Sequence, residues 1–280
     1  MNPKKLLNLY GLKWNPFMPD VPEDALLVTK KIESFAWRIE TLVHDGGFAL
    51  ITGDPGSGKS VAMRILAERL KGIRDVMVGV VTRPQSKVGD FYRELGEEFH
   101  VKLSPTNRYG GFKALRERWR AHVETNHLRP VLLIDEAQET PAEVLSEIRL
   151  LSSANFDSTL FLTVILSGDS RLPELFRHQD LVPLGSRIRT RLIMDYATKD
   201  ELRELLTHAM AKAGNAKLMS DELVDTLVDH AGGNFRTLMN TAAELLAAGT
   251  ARDGAKLDEK LYLEVFRIEP SRPRKQKEGR

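Results

Sequence analysis

The stretch GDPGSGKS, residues 53–60, decides the fold because it fits the pattern G-x-x-x-x-G-K-[ST] at every position. The apolar run Phe48 to Thr52 precedes it and the amphipathic sequence VAMRILAERL follows it, which predicts a strand, a glycine-rich turn and a helix in succession. Glycines let backbone N–H groups turn inward, where they and the helix N-terminus surround phosphate oxygens. The stretch therefore predicts a phosphate-binding loop in an α/β fold.

Within this phosphate loop, as we call residues 53–60, Lys59 is placed to neutralise the β and γ phosphates of ATP, and Ser60 to offer an oxygen to Mg²⁺. The alternative is a glycine-rich turn that binds nothing, which the matching strand and helix on either side disfavour. The predicted nucleotide contacts in this region are Gly53, Asp54, Pro55, Gly56, Ser57, Gly58, Lys59, Ser60 and Val61.

A second apolar run, VLLIDEAQ at residues 131–138, ends in two adjacent acids. Burying such a pair is costly unless it faces a cation or solvent. The alternative to a functional role is that the two acids simply begin a loop. The functional interpretation is that Asp135 reaches Mg²⁺ directly or through water, while Glu136 polarises the attacking water. The pair therefore predicts hydrolysis of the nucleotide as well as binding.

Composition narrows the class of protein. The 280 residues are 42% hydrophobic and 29% charged, and the net charge is only +2. Residues 267–280 hold six basic and two acidic side chains, so the rest of the chain is slightly acidic. The rest of the chain therefore does not have the strongly basic composition of a protein that surrounds nucleic acid. Without cysteine, disulfides and thiolate metal sites are excluded. No apolar run approaches the about 18 residues of a membrane span and no signal peptide is evident, so we expect a cytoplasmic protein with no membrane contact.

Short apolar runs at residues 48–52, 76–82, 131–135 and 160–167 alternate with helical patterns. Such continuously apolar strands are typical of a parallel sheet covered on both faces. The strand signal stops after Tyr196, and four helical patterns follow, some beginning with Thr, Ser or Asn at a cap position. The sequence predicts an α/β core, then a small helical domain and a polar tail.

Several segments, taken in order, resemble the AAA+ ATPases, and within them the ExeA-like group. They are YGLKWNPF at residues 10–17, GGFALITGDPGSGKS at 46–60, LLIDEAQ at 132–138 and AGGNFR at 231–236. The resemblance covers most of the chain. It implies a nucleotide-binding core over residues 1–196 that includes an N-terminal segment on the adenine side, a helical lid over 197–267, and a basic tail over 268–280 with the composition of a disordered segment.

The resemblance also assigns roles outside the phosphate loop. It implies that Leu12, Pro16 and Phe17 contact the base, although Asn15-Pro16 also reads as a simple turn and Phe17 as core. It implies that Ser167 is a polar sensor near the γ-phosphate, with Asp169 close enough to compete. It further implies that Arg236 is a second sensor from the lid, whereas a lone arginine early in a helix is often a surface residue.

In PLGSRIRTRLIM, residues 183–194, three arginines stand two apart. AAA+ domains bind the nucleotide between subunits of a homo-oligomer and present an arginine in trans just before the last strand. The resemblance therefore makes Arg187 the first choice for this group and Arg189 the runner-up. We expect Arg191 to enter the strand and to be structural, although strand alternation alone places all three on one face.

Three candidate functions for the hydrolysis of ATP remain open. The first is a transposition helper of the MuB and TniB type, which the resemblance implies would oligomerise with ATP, as a ring or helical filament, on double-stranded DNA without sequence preference. A transposase would then be its partner. The second is an ExeA-type role in assembling a secretion or envelope complex, whose members carry a membrane span and a wall-binding region that we do not find here. The third, a helicase, requires a second lobe for which the chain has no room.

DNA contacts are predicted from basic side chains. The segment RYGGFKALRERWRAH, residues 108–122, places apolar residues on one helical face and a basic stripe on another. The alternative is a solvated face with Glu117 as an intrahelical partner, and the basic tail either holds DNA or transposase or does nothing. The candidate contacts, all to the DNA backbone, are Arg108, Lys113, Arg116 and Arg120, together with Arg83 and Lys87 after the second strand.

Overall fold

The computed structural model describes residues 3–102, 107–125, 127–154 and 158–266. The predicted tail lies outside this range. The chain divides into two units. One is an α/β unit of residues 22–197 with Asn234–Arg236, and the other is a helical unit that contains residues 3–21, 198–233 and 237–266. The N-terminal segment thus groups with the helices, whereas the sequence-based division assigned it to the core.

Five parallel strands form the main sheet, in the order β2-β3-β6-β1-β7. A separate antiparallel pair, β4 and β5, lies outside it. The strand bounds are β1 Gly47–Gly53, β2 Val76–Val81, β3 Arg129–Ile134, β4 Ser153–Ala154, β5 Thr159–Leu160, β6 Thr163–Gly168 and β7 Ile188–Met194. The helices of the α/β unit are α2 Lys30–Asp45, α3 Lys59–Lys71, α4 Val88–Glu98, α5 Arg108–Thr125, α6 Ala142–Leu151, α7 Arg171–Leu175 and α8 Val182–Gly185.

Alternation along each strand sends side chains into two cores, one on either face of the sheet. In β1, Phe48 and Leu50 pack into the core that α4, α5 and α6 cover. Ala49 and Ile51 pack into the core beneath α2 and α3. Both faces are therefore buried, which confirms the predicted parallel sheet between helices.

The sequence predicted one strand over residues 160–167, and the structure corrects this to two. The short β5 ends at Leu160, and β6 begins at Thr163. Between them the backbone N–H of Phe161 donates to the carbonyl of Ser152, 3.1 Å away, and the chain joins the main sheet only from Thr163. The break moves the start of the buried strand but keeps its carboxyl end at the same edge as those of β1 and β3.

The helical unit combines α1 with the C-terminal helices. Its helices are α1 Pro3–Tyr10, α9 Lys199–Lys212, α10 Asp221–Ala231, α11 Phe235–Ala251, whose first two residues group with the α/β unit, and α12 Glu259–Val265. Thr198 and Ser220 cap α9 and α10 as the sequence predicted, the first in a capping box with Glu201. Tyr10 Oη donates to the carbonyl of Ala255 at 2.9 Å, which attaches α1 to the segment between α11 and α12.

Among the described helices, none combines the length and the apolar character that crossing a bilayer requires.

Candidate functional site

The phosphate loop joins β1 to α3 in a conformation that requires glycine. Gly56 and Gly58 have φ values of +86° and +95°, in the left-handed region that other residues rarely adopt. A Cβ on Gly56 would lie 2.2 Å from Oδ1 of Asn234, and one on Gly53 would lie 2.3 Å from the carbonyl oxygen of Met194. The glycines of the motif therefore serve both the turn and the close approach of neighbouring segments.

Lys59 begins α3 with its side chain turned back into the loop. It is only 5% exposed, and its Nζ donates to the carbonyls of Gly53 at 2.8 Å and Asp54 at 3.2 Å. A buried ammonium needs such partners, and these hold the charge at the place where phosphate oxygens are expected. Ser60, on the first turn of α3, is exposed to solvent.

Asp135 and Glu136 follow β3 at the same edge of the sheet. Oδ1 of Asp135 accepts a hydrogen bond from the backbone N–H of Glu136 at 2.9 Å. Glu136 has a φ of +50°, an unusual backbone conformation for a residue with a side chain. Its carboxylate is exposed and accepts a hydrogen bond from Nε2 of Gln138 at 2.5 Å. The carboxylate predicted to polarise the attacking water is thus held in a specific place.

Asp135, directly after β3, and Ser167, near the carboxyl end of β6, stand on the side of the sheet that α3 covers. Leu133 and Ile165 pack into the core beneath α3, and Asp135 and Ser167 each stand two residues further along. Ser167 is fully buried, and its Oγ has no hydrogen-bond partner among the described residues. The predicted metal ligand and the predicted sensor therefore lie on the side of Lys59.

Asp169 directly follows β6, two residues after Ser167. The sequence analysis considered it only as a competitor of Ser167. Its pKa is held below the ordinary value, chiefly by hydrogen bonds from Arg171, with a smaller contribution from the charge of Lys59. The guanidinium of Arg171 contacts both carboxylate oxygens at 2.8–3.1 Å. Like Asp135, Asp169 is an acid at the carboxyl end of a buried strand, which is the signal that could have found it.

Asn234 is a residue that the sequence analysis missed as a site component. Its Nδ2 donates to the carbonyl of Pro55 at 2.9 Å, and the backbone N–H of Phe235 donates to the carbonyl of Gly56 at 3.1 Å. These bonds fix the start of α11 against the phosphate loop within the α/β unit. Arg236, the predicted second sensor, is the next residue and is exposed. The Gly-Gly-Asn sequence before it was the available signal.

The three arginines around β7 occupy different positions. Arg187 precedes the strand and donates to the carbonyl of Pro183. Arg189 and Arg191 lie within the strand on its exposed side, alternating with buried residues. Ile188 pairs with Phe48 and Met194 with Gly53, so Arg187 stands at the opposite end of the sheet from the phosphate loop of its own chain.

The predicted base contacts Leu12, Pro16 and Phe17 are all buried. They belong to the helical unit, and Oδ1 of Asn15 accepts a hydrogen bond from the backbone N–H of Phe17 at 3.1 Å. The local arrangement is therefore the turn that Asn15-Pro16 predicted, with apolar residues packed on it, and contact with a base remains a prediction.

The basic residues divide by their partners. Lys113 and Arg120 lie near Glu117 and Glu124, at 3.8 Å and 4.0 Å along α5, and Arg116 lies half-buried against the rings of Phe112 and Phe161. Arg108 begins α5, but its side chain is not among those that the structure describes. By contrast, Arg83 and Lys87, in the loop after β2, are exposed and have no ion pair with any described residue.

The donor set fits a nucleotide with Mg²⁺. No group of three or more His, Cys, Asp or Glu side chains suited to a metal occurs within the described ranges. Mg²⁺ does not need such a cage, because it is commonly held by one or two protein oxygens together with substrate phosphates and water. Ser60 and Asp135 would provide two such oxygens, since Ser60 lies at the end of the phosphate loop and Asp135 follows β3 at the same edge of the sheet.

Known proteins resemble this chain over most of its length. A family described as an AAA domain matches residues 42–176. General secretion pathway protein A of Aeromonas hydrophila is 26% identical over 89% of this chain, which spans only 45% of that protein. The ATP-dependent target DNA activator B of Escherichia phage Mu is also 26% identical over 89% of this chain, which spans 75% of it.

Solved structures share the fold. Cdc6p of Pyrobaculum aerophilum has a TM-score of 0.69 at 16% identity and covers 86% of this chain, which in turn covers 67% of that chain. The ORC2 protein of Aeropyrum pernix, in its ADPNP–ADP complexes, has a TM-score of 0.71 at 15% identity, with 90% of this chain and 70% of that chain covered. At these identities the likeness concerns the architecture alone.

Proposed function

We propose that this chain hydrolyses ATP through its AAA domain, assembles on double-stranded DNA when ATP is bound and acts as a helper of a transposase. Hydrolysis then releases the assembly. The observation that carries the proposal is the 26% identity with the phage Mu target DNA activator, of which this chain spans 75%. A DNA-bound role of this kind places the protein in the cytoplasm.

The hydrolytic step follows from the site. Lys59, fixed by the carbonyls of Gly53 and Asp54, stabilises the charge that develops on the transferred phosphoryl group. Glu136 orients the attacking water and accepts its proton. Ser60 and Asp135 would hold Mg²⁺, which would supply charge neutralisation for the phosphates.

The geometry of β7 supports catalysis between subunits. The seven residues of the strand span about 20 Å. Arg187 precedes the strand, and the phosphate loop of the same chain lies at its other end. Arg187 is therefore too far away to contact a nucleotide bound by its own chain. In a ring or helical filament, Arg187 would instead act at the phosphate loop of a neighbouring copy. Arg187 is our proposed finger and Arg189 the alternative. Such fingers raise phosphoryl-transfer rates by about 10³ to 10⁵.

Nucleotide recognition is completed by residues from other segments. We assign Arg236, beside the Asn234–Pro55 hydrogen bond, to the phosphates, and the buried Ser167 to the γ-phosphate side of the sheet. Leu12, Pro16 and Phe17 are assigned to the base.

The DNA contacts that the structure favours are Arg83 and Lys87. Both are exposed at the carboxyl edge of the sheet and lack a carboxylate partner in the described part of the chain, so binding phosphate breaks no existing ion pair. The cations on α5 are less available, since Lys113 and Arg120 have acidic neighbours and Arg116 is packed on aromatic rings. Phosphate contacts carry no sequence preference.

Fluorescence anisotropy with two unrelated labelled duplexes tests the proposal. We expect binding to both duplexes with ATP, weakening about tenfold or more between about 50 and 200 mM salt. The paired substitution Arg83→Ala and Lys87→Ala should weaken binding to both duplexes alike, while the matched pair Arg93→Ala and Lys71→Ala should not. Lys59→Ala should bind neither duplex in an ATP-dependent manner. Absence of DNA binding at low salt with ATP contradicts the DNA role.

A second function is favoured by the identity with General secretion pathway protein A. In that case ATP still drives assembly, but duplex DNA has no effect on it. ATP-dependent assembly measured by light scattering, with and without DNA, therefore separates the two functions. Stimulation of hydrolysis by a transposase would identify the partner class directly.

A further inference from the structure

Gln138 has no role in the site as assigned above, yet both ends of its side chain are engaged there. We propose that Gln138 is a positioning residue that holds Glu136 against the loop that follows β6. The proposal rests on the proposed role of Glu136 as the group that orients the attacking water.

The hydrogen bonds define the arrangement. Nε2 of Gln138 donates to Oε2 of Glu136 at 2.5 Å, and Oε1 of Gln138 accepts from the backbone N–H of Asp169 at 3.2 Å. A backbone N–H can only donate, so the amide oxygen must face Asp169 and the NH₂ group must face the carboxylate. The side chain of Gln138 is therefore a bridge with one possible orientation.

The surroundings are built to allow this bridge. A Cβ on Gly168 would lie 2.4 Å from Oε1 of Gln138, so glycine is needed where the amide meets the β6 loop. Ala137 is completely buried and anchors the short 3₁₀ turn, Ala137–Glu139, that carries Gln138. Arg171 adds a second tie, since it donates to both Glu139 and Asp169 at 2.8 Å.

The bridge connects Glu136 to the surroundings of Lys59. Asp169, whose backbone holds the amide, is close enough to Lys59 for the two charges to interact. Glu136 is otherwise exposed, and among the described residues the bond from Gln138 is the hydrogen bond that restricts its carboxylate. A general base displaced by about 1 Å loses up to about a hundredfold in rate. Gln138 should therefore affect turnover and leave ATP binding almost unchanged.

Steady-state ATPase assays on the full chain, with DNA present, test this expectation. Gln138→Met keeps the length of the side chain but removes both hydrogen bonds, and kcat should fall about 10- to 100-fold with KM within about twofold. Gln138→Asn keeps an amide that is too short to span both partners, and the same result is expected if the methionine variant folds poorly. Gln179→Met, an identical change at an exposed residue, should leave both constants unchanged.

A double-mutant cycle separates positioning from a general structural effect. If Gln138 acts through Glu136, then Gln138→Met should slow the Glu136→Gln variant by less than about twofold. Independent losses that multiply, or normal kcat in both Gln138 variants, would overturn the proposal. Normal turnover by Glu136→Gln alone would instead remove the assigned role of Glu136, on which the proposal depends.

Discussion

Gly56→Ala tests the geometry of the phosphate loop. Two costs follow from the structure. A side chain at φ +86° costs about 1–2 kcal/mol in the left-handed region. The new Cβ, 2.2 Å from Oδ1 of Asn234, also displaces that side chain, and losing its hydrogen bond to Pro55 costs about 1 kcal/mol. If both costs destabilise the loop conformation that binds the nucleotide, the total of about 2–3 kcal/mol weakens ATP binding about 30- to 150-fold.

Isothermal titration calorimetry with ATP measures this loss, and two further variants divide it. Gly254→Ala places a side chain at nearly the same φ, +88°, against only the flexible Leu9, so its ATP affinity should stay within about twofold of wild type. In an Asn234→Ala background the clash is absent, and Gly56→Ala should then cost only the backbone term, about 5- to 30-fold. Unchanged ATP affinity in Gly56→Ala would refute the reasoning.

Three further predictions concern stability. Arg69→Met removes ion pairs with Glu33 and Glu40 between α2 and α3 and should lower the free energy of unfolding in urea by about 1 kcal/mol, while Lys71→Met, at an exposed pair, should have no measurable effect. Tyr10→Phe removes the hydrogen bond to Ala255 and should cost about 0.5–1.5 kcal/mol, whereas the exposed Tyr196→Phe should be neutral. Arg171→Met should reduce stability at neutral pH, because Arg171 keeps the pKa of Asp169 below its ordinary value. A depressed carboxyl pKa stabilises the folded state above the unfolded pKa of about 4, so the difference from wild type should shrink as pH falls through the folded pKa; a constant difference from pH 7 to pH 3 would contradict this.

Much of the architecture could be predicted from the sequence because its signals are local. The helix predicted directly after the phosphate loop is observed there, as α3, since the motif fixes its start and the periodic apolar residues its course. The buried strands were found from their continuous apolar runs. The interruption after Leu160 was not, because the hydrogen bond there joins Phe161 to Ser152, which lies between α6 and β4.

The parts of the site that the sequence missed depend on contacts between distant segments. Asn234 and Pro55 are separated by 179 positions, and the Gly-Gly-Asn sequence indicates a turn at Asn234 but not the segment that it contacts. Gln138 reaches Asp169 across 31 positions. The sequence could also place Arg187 and Arg189 near the last strand but could not say which one precedes it, because the pattern of alternation is the same for both.

Mixing two inactive variants tests most directly the central claim that the ATPase site is shared between copies of the chain. Arg187→Ala keeps an intact phosphate loop, and Lys59→Ala keeps an intact arginine, so each alone should hydrolyse ATP only at background. In an equal mixture, roughly a quarter of head-to-tail interfaces join the two intact parts, and a corresponding fraction of wild-type activity should return. No recovery, in a mixture that light scattering shows to be assembled, would contradict the shared site and leave Arg187 as a residue of the strand edge.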